Sequence, residues 1–319
     1  MLEMTYTQAM SEALKEEMAR DERVFQIGED IGPVRERKDL WDQFHERRTW
    51  QTPISETGFT GLSVGAAMTG LRPVTVIMYC DFFTVCMDPI VNQAAKIHLM
   101  SGGTFKVPMV IRTPAGAGTR EGGHHSQSLE SWFVHTPGLK VVMPSTPADA
   151  KGLMKSSIRD DGPVIYIQHR LLHPMSGPVP EGEWIVPLGQ ADVKREGTDA
   201  TVVAVSYAVH KVLEAAEELS GEISVEVIDP RTLSPLDVET ILKSVRKTGR
   251  LLVVHEAPTR GGVGAEIVRQ VVEEAHGDLQ APAKVLGGLH TPMPYSAPLE
   301  DAVLPEKGDI VEAVRKLVC

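Results

Sequence analysis

The sequence predicts a two-domain α/β protein, each domain a mostly parallel sheet flanked by helices. Three observations predict it. At 319 residues the chain is long for one hydrophobic core and comfortable for two. Segments with helical periodicity alternate with short, nearly continuous runs of β-branched residues, the pattern of strands buried on both faces. The stretch "HRLLHPMSGPVPEGEWIVPLG" interrupts the alternation with proline and glycine, after which it resumes.

The elements follow in order. "TYTQAMSEALKEEMARD" places Ala9, Met10, Ala13, Leu14 and Met18 on one helical face, and "RVFQIGED" is a short strand running into a loop. "TPI" is a short strand before a helix that starts at Glu56. "VTVIMY" is a strand, "DFFTVCMDPIVNQAAKIHLM" a buried helix and "VPMVIRT" the next strand. After a glycine-rich loop come the strand "LKVVMP", the helix "TPADAKGLMKSSIRDD" and the strand "PVIYIQ". A linker at about 171–188 divides a first domain, 1–180, from a second, 181–319. The second domain reads as "DATVVAVS", "AVHKVLEAAEEL", "ISVEVID", "PLDVETILKSVRKT", "GRLLVVHEA", "GGVGAEIVRQVVEEA", "APAKVLG" and a closing helix "DIVEAVRKLV".

Composition excludes several classes of function. A net charge of −11 opposes a nucleic-acid binder, which needs a basic face to neutralise phosphates. No apolar run approaches the ~20 residues of a membrane span, and the acidic first residues resemble neither a signal nor a transit peptide. Cys80, Cys86 and Cys319 form no CxxC pair and no even-numbered framework. Together these point to a cytoplasmic protein that meets neither membrane nor nucleic acid.

Three stretches could carry chemistry. In "ISETGFTGLSVGAAMTGLRP" the single acid Glu56 stands at the start of a helix, and no Lys or Arg occurs near it until Arg72. A first-turn acid complements the helix dipole. The small residues Gly58, Gly61, Gly65, Ala66 and Ala67 equally let another surface approach, where a carboxyl group could hydrogen-bond a protonatable ligand nitrogen. In "RTPAGAGTREGGHHSQS" the adjacent His124 and His125 follow four glycines on a flexible loop. Neighbouring histidines on extended chain point apart and no HxxxH spacing accompanies them, which disfavours a metal. Proton transfer and an ordinary surface histidine both remain open. "HEAPTRGGVGAEI" mimics a dinucleotide fingerprint, but Ile267 stands where the third glycine belongs, so a tight strand-to-helix turn accounts for it better.

Taken in order, "QIGEDIG", "TPISETGFTGLSVGAAMTGLRPV", "MDPIVNQAAK", "HHSQS", "HTPGLKVVMPSTPADAKGLMKSSIRDDGPVIY", "VIDPRTLSPLDVETI" and "HTPMPYSAPLED" resemble the beta subunit of the decarboxylating component of 2-oxo acid dehydrogenase complexes. The resemblance covers nearly the whole chain and includes pyruvate, branched-chain and acetoin-type members. It implies a thiamine pyrimidine-binding domain followed by a transketolase C-terminal-like domain. It assigns Glu56 to the 1′ nitrogen of the aminopyrimidine of thiamine diphosphate, and Ile54, Met78 and Phe82 to the walls around that ring. His125 falls to acyl transfer at the site's mouth. It also implies a K+ held by backbone carbonyls of Met109, Ser157, Ile158, Asp160 and Gly162.

Thiamine enzymes hold Mg2+ and the diphosphate with a Gly-Asp-Gly motif and a later Asn. This chain has no such motif, and Asn92 is its only asparagine. The resemblance therefore implies an alpha subunit that supplies the motif and Mg2+ in a two-alpha, two-beta assembly, and a lipoyl-bearing acyltransferase that takes the acyl group. Segment 31–51, "IGPVRERKDLWDQFHERRTWQ", is shorter and more charged than its counterpart in the family, which usually carries Gly-Gly-Val-Phe there. Acetoin cleavage by an acetoin dehydrogenase beta subunit is the close alternative. A nicotinamide oxidoreductase fails for want of a fingerprint, and a non-catalytic docking subunit would not need both Glu56 and His125.

Overall fold

A computed structural model of the chain describes residues 1–31 and 38–319, the side chains of 38, 39 and 46 apart. Part of the charged segment 31–51 thus lies outside the described residues; its later part forms a helix, Lys38–Arg48, and a strand, Thr49–Gln51. The chain divides into two compact units, one of residues Met1–Ala115 with Trp132–Leu188 and one of Gly116–Ser131 with Gly189–Cys319. Both are built as expected, on mostly parallel sheets flanked by helices.

In the first unit six strands run parallel in the spatial order Lys140–Val142, Val164–His169, Val110–Ala115, Arg72–Val76, Val24–Gly28, Thr49–Gln51. Strand Val164–His169 is buried throughout, as its apolar run requires. Helix Tyr6–Arg20 begins with a capping box, in which Thr5 Oγ1 accepts from the Gln8 amide and Gln8 Oε1 accepts from the Thr5 amide. All five residues expected on its inner face are buried, and it packs against helix Pro147–Arg159. Between these helices the fully buried Glu17 is clamped by Arg20 and Arg159, which gives that charge the partners its burial demands.

Two expectations are corrected here. The stretch read as one buried helix is three short pieces: a 3₁₀ turn Cys80–Val85, a π-type helix Asp88–Ala94 and an α-turn Ile97–Met100. Pro89 has no amide hydrogen to continue the first piece, and Asp88 instead accepts from the side chains of Asn92 and Gln93. Leu99 and Met100 end the stretch exposed rather than buried. The ladder near Glu56 is also formed three residues earlier than "TPI", by Thr49–Gln51, leaving 52–55 as the lead into helix Glu56–Met68.

The proline-rich stretch 171–188 is no loose linker either. Its strand Ser176–Val179 pairs antiparallel with Leu2–Thr5. Trp184 Nε1 donates to the Ala148 carbonyl at 2.9 Å, and Val186 fills the space where a side chain at Gly152 would stand.

The second unit holds a five-stranded sheet in the order Lys284–Gly288, Leu251–Pro258, Ala200–Ala204, Val225–Asp229, Asp192–Arg195, parallel except for the last strand. Val202, Val227, Leu252 and Val254 meet Val209, Val212 and Ala216 of helix Ala208–Glu218 and Ile310, Val314 and Leu317 of helix Lys307–Val318 in one core. Strand Leu251–Pro258 turns directly into helix Val263–Ala275, so the fingerprint-like stretch is the strand-to-helix turn it was read as. Its glycines have a further use. A Cβ at Gly262, Gly264 or Gly287 would stand 2.6–2.7 Å from the ring of His255, so the three together make the slot that the imidazole fills.

Candidate active site

In the first unit Ile54 and Glu56 follow strand Thr49–Gln51, and Met78 and Phe82 follow strand Arg72–Val76, so these four come after the carboxyl ends of parallel strands, where open α/β sheets bind ligands. Glu56 is the first residue of helix Glu56–Met68 and is 6% exposed. The helix terminus favours its negative charge. No hydrogen bond or ion pair of its carboxyl group is found among the described residues. Around it lie Glu29 and the Cys86 thiol, each of which feels the Glu56 charge.

Glu29 follows strand Val24–Gly28, and Gly28 is what lets it do so. At φ +154°, a Cβ on residue 28 would meet the Val76 carbonyl at 2.5 Å, so only glycine brings the two strand ends this close. Burial pushes the Glu29 carboxyl above the usual carboxylate range, and the charges of Glu56 and Asp30 push it further. Cys86 is pushed up to about 12, chiefly by burial, with Thr60 opposing and Glu56 adding to the rise. Its thiol is therefore protonated and unreactive near neutral pH.

Phe82 and Met78 are half-buried, and the Phe82 ring meets Tyr79 edge-on at 5.7 Å. Ile54 is 82% exposed. Along helix Glu56–Met68 the residues Gly58, Gly61, Leu62 and Gly65 are exposed, and a Cβ at Gly61 or Gly65 would meet nothing within 4 Å. Of the small residues predicted to let another surface approach, Gly58, Gly61 and Gly65 are thus open, Ala66 is half-buried and Ala67 is buried.

Of the five carbonyl positions read as a K+ site, Ser157 and Ile158 lie in the last turn of helix Pro147–Arg159, Asp160 and Gly162 follow it, and Met109 precedes strand Val110–Ala115. Arg72 Nη1 donates to the carbonyls of Ile158 at 2.9 Å and Asp160 at 2.8 Å, while the Met109 carbonyl accepts from the Val164 amide. Arg72 is in turn paired with Asp161 at 2.7 Å. Sequence reasoning left Arg72 without a role, because its partners lie more than eighty positions away.

His125 belongs to the second unit. It is half-buried, its amide donates to the Gly122 carbonyl at 3.3 Å, and His124 beside it is exposed. The loop carrying them is fastened rather than flexible. Glu256 accepts from the Ala117 amide at 2.6 Å and from Ser128 Oγ at 3.2 Å. The fully buried Glu300 accepts from the Gly118 amide and from Arg120, each at 2.8 Å. Gly122, at φ +69°, lies flat against the Tyr295 ring, which leaves no room for a side chain. Glu130 closes the loop. It is buried, and loss of solvent raises its carboxyl to about 7, with the Glu256 charge adding to the rise. Burial alone lowers His255 to about 4, so that ring is neutral. Neither Glu130 nor His255 stands out in the sequence, since only the fold encloses them.

Residues 3–175 match the transketolase pyrimidine-binding domain and residues 189–310 the transketolase C-terminal domain. The chain is 44% identical to the beta subunit of acetoin:2,6-dichlorophenolindophenol oxidoreductase of Cupriavidus necator, covering 97% of this chain and 95% of that protein. It is equally 44% identical to the beta subunit of the pyruvate dehydrogenase E1 component of Rickettsia conorii, covering 99% and 98%. Among solved structures it resembles a split-gene transketolase, an inactive beta4 tetramer, with a TM-score of 0.81 at 23% identity over 99% and 98% of the two chains. Among the described residues no helix is long and apolar enough to cross a membrane.

Proposed function

This chain belongs to the transketolase-like family of beta subunits found in pyruvate and acetoin dehydrogenases, and from that premise we propose that it is the beta subunit of a thiamine-diphosphate-dependent 2-oxo acid dehydrogenase. The observation that carries the reading is Glu56, a residue only 6% exposed, whose carboxyl group has no ion pair among the described residues and stands in the pyrimidine-binding domain. Such a group calls for a ligand nitrogen to hydrogen-bond. The aminopyrimidine of thiamine diphosphate fits it: one ring nitrogen for Glu56, and a flat ring for Phe82, Met78 and Ile54.

When bound, thiamine diphosphate supplies the carbon nucleophile that adds to the substrate carbonyl and the electron sink that lets CO2 leave. Glu56 holds or moves a proton at the ring's 1′ nitrogen. Glu29, whose carboxyl is raised by burial and by the charges of Glu56 and Asp30, is the acid nearest in its effect to Glu56 in this part of the unit. Phe82 and Met78 orient the ring and keep water from its faces. The exposed Ile54 gains its cover from the ring and from a second subunit. His125, on its fastened loop, moves a proton as the acyl group passes to a lipoyl carrier.

The diphosphate and Mg2+ need donors that this chain lacks. An alpha subunit with Gly-Asp-Gly and a later Asn supplies them in a two-alpha, two-beta assembly, and the flat face at Gly58, Gly61 and Gly65 suits close packing with such a partner. The enzyme works in the cytoplasm. The carbonyls of Met109, Ser157, Ile158, Asp160 and Gly162 are suited to K+ at the negative end of their helix. Arg72 already occupies one lone pair each of Ile158 and Asp160, but Asp161 neutralises it and a second lone pair remains on each.

Acetoin cleavage is the second reading, because the acetoin and pyruvate relatives are equally similar. The test is reconstitution with an alpha subunit carrying the motif, followed by reduction of 2,6-dichlorophenolindophenol with pyruvate, branched-chain 2-oxo acids or acetoin as substrate. Activity that requires both chains is expected, and the preferred substrate names the enzyme. Full activity of either chain alone would overturn the two-subunit reading. His125→Ala should lower acylation of a lipoyl carrier more than reduction of the dye. The reverse order would place His125 at an earlier step.

A further inference from the structure

Residues 116–131, which carry His125, belong to the second unit, although Ala115 and Trp132 on either side belong to the first. Gly116, Gly118 and Gly122 take φ values of +89°, +93° and +69°, and Arg120 stands among them at +63°, where a side chain is strained. Two acids from later in the chain fasten the loop. Glu256 of strand Leu251–Pro258 holds it at Ala117 and Ser128, and Glu300 of helix Ala297–Val303 holds it at Gly118 and Arg120. Inside, the match is poor. Thr119 Oγ1, Glu130 Oε2 and Ser131 Oγ are buried without a hydrogen-bond partner among the described residues. Each of these atoms would gain a water on release, which offsets part of what the clamps hold.

Glu130 is the member of that set whose cost can change. It is 1% exposed, and its carboxyl group accepts from its own backbone amide. Neutral, it leaves one oxygen unmatched; ionised, it leaves a charge in a dry place. The charge whose field it feels is that of Glu256, the same carboxylate that holds Ala117 and Ser128. Arg120, Glu121, His124 and His125 of the loop, and Glu300 and Asp301 that meet Arg120, do not act on its proton, so no cation among the described residues offsets the pair. We propose that the His125 loop is a strap latched by a proton: it stays fastened while Glu130 is neutral and comes away from Glu256 when Glu130 ionises. The proton passes to solvent, and release lets water reach both carboxylates. Burial and Glu256 raise Glu130 to about 7, so the strap opens on the alkaline side of neutrality. Release concerns the loop alone; its consequence, slower proton transfer by His125, rests on the function proposed above.

Trypsin reads the strap directly, because Arg120 lies within it. The full chain and Glu130→Gln, which stays neutral, are treated briefly at pH 6 and pH 8.5, and mass spectrometry gives the rate of the cut after Arg120. Comparing the two proteins at one pH removes the pH dependence of trypsin itself. The rates should agree within a factor of two at pH 6. At pH 8.5 the wild-type chain should be cut at least about tenfold faster, as ionisation of an acid raised from 4.5 to about 7 allows. Sites in the sheet, such as those after Arg112 and Lys140, should stay uncut, whereas unfolding of the whole chain would open them too. Equal rates at pH 8.5, a gap already present at pH 6, or cuts after Arg112 and Lys140 that keep pace with the one after Arg120 overturn the proposal. Should Glu130→Gln fail to fold, as judged by its melting curve, the wild-type chain decides alone, with its rate divided by that on a small peptide substrate. A rise of at least about tenfold between pH 6 and pH 8.5 upholds the strap, and a smaller one removes it. No readout here uses thiamine diphosphate or an alpha subunit, so failure leaves the proposed activity untouched.

Discussion

Replacing the Glu56 carboxyl by an amide changes its proton chemistry and almost nothing of its shape. In the reconstituted enzyme Glu56→Gln should lower turnover by about 10²–10⁴, the range for a general acid–base group, while the melting temperature barely moves. Turnover within a factor of two of wild type would remove Glu56 from the reaction. Glu130 gives a prediction of the opposite kind, on stability. Its carboxyl rises to about 7 in the fold, mainly because burial removes its solvent and secondarily because Glu256 is near. The folded state therefore holds the proton more tightly than the unfolded chain, and its contribution is complete below about pH 4.5 and lost as the pH climbs through 7. Glu130→Gln, which cannot ionise, should be more stable than wild type by up to about 3 kcal/mol above pH 7, and the difference should shrink toward zero below pH 4.5. Urea melts at pH 4.5 and 8 measure it, and a gain independent of pH would refute the assignment. Glu56 was legible in the sequence because its neighbours in the chain are also its neighbours in space: small residues, a helix start and no cation. Glu29 and Glu130 were not, because each owes its state to burial by segments far away in the chain.

At the scale of elements, periodicity was a good guide wherever a helix has one dry face. The inner face of Tyr6–Arg20 and most strands stand where the pattern put them. It failed at 80–100, where apolar residues suggested one helix but Pro89 and the side chain of Asp88 split it. It failed again at 171–188, where proline and glycine signalled a loose connection, yet they sit on an edge strand and under Val186, which composition cannot reveal. The glycines after strand Leu251–Pro258 were readable as a turn, but not as the walls of the His255 slot. Gly264→Ala would push a methyl group to 2.7 Å from His255 Nε2 and from Val285 Cγ1. It should cost about 1–3 kcal/mol, as overpacking does. Gly308→Ala is the contrast: a Cβ there meets nothing within 4 Å, and it lies in helix Lys307–Val318, so it should be neutral or stabilising by up to about 1 kcal/mol. Thermal melts that rank the two the other way would show that the slot is not tightly packed.

For the whole molecule, half a cofactor site means little affinity. In the proposed assignment Glu56, Phe82, Met78 and Ile54 address only the aminopyrimidine end, with one or two hydrogen bonds of about 1 kcal/mol each and one ring's burial set against the cost of immobilising a ligand. Calorimetry on the chain alone should show negligible binding of thiamine diphosphate, rising by orders of magnitude with an alpha partner and Mg2+. Tight, Mg2+-dependent binding of about one cofactor per isolated chain would mean a complete site. The absence of a Gly-Asp-Gly motif from the sequence leads to this expectation, whereas the substrate cannot be read there, since relatives named for acetoin and for pyruvate are equally similar. The division of the chain also sets an order of events during synthesis. Strand Leu2–Thr5 is made well before its partner Ser176–Val179, which follows only after nearly the whole first unit has been made. The loop 116–131 waits likewise, because Glu256 and Glu300, which fasten it, are made long after it. A nascent chain therefore carries the His125 loop unfastened until both carboxylates have been made, and His125 reaches its final place well after it is synthesised.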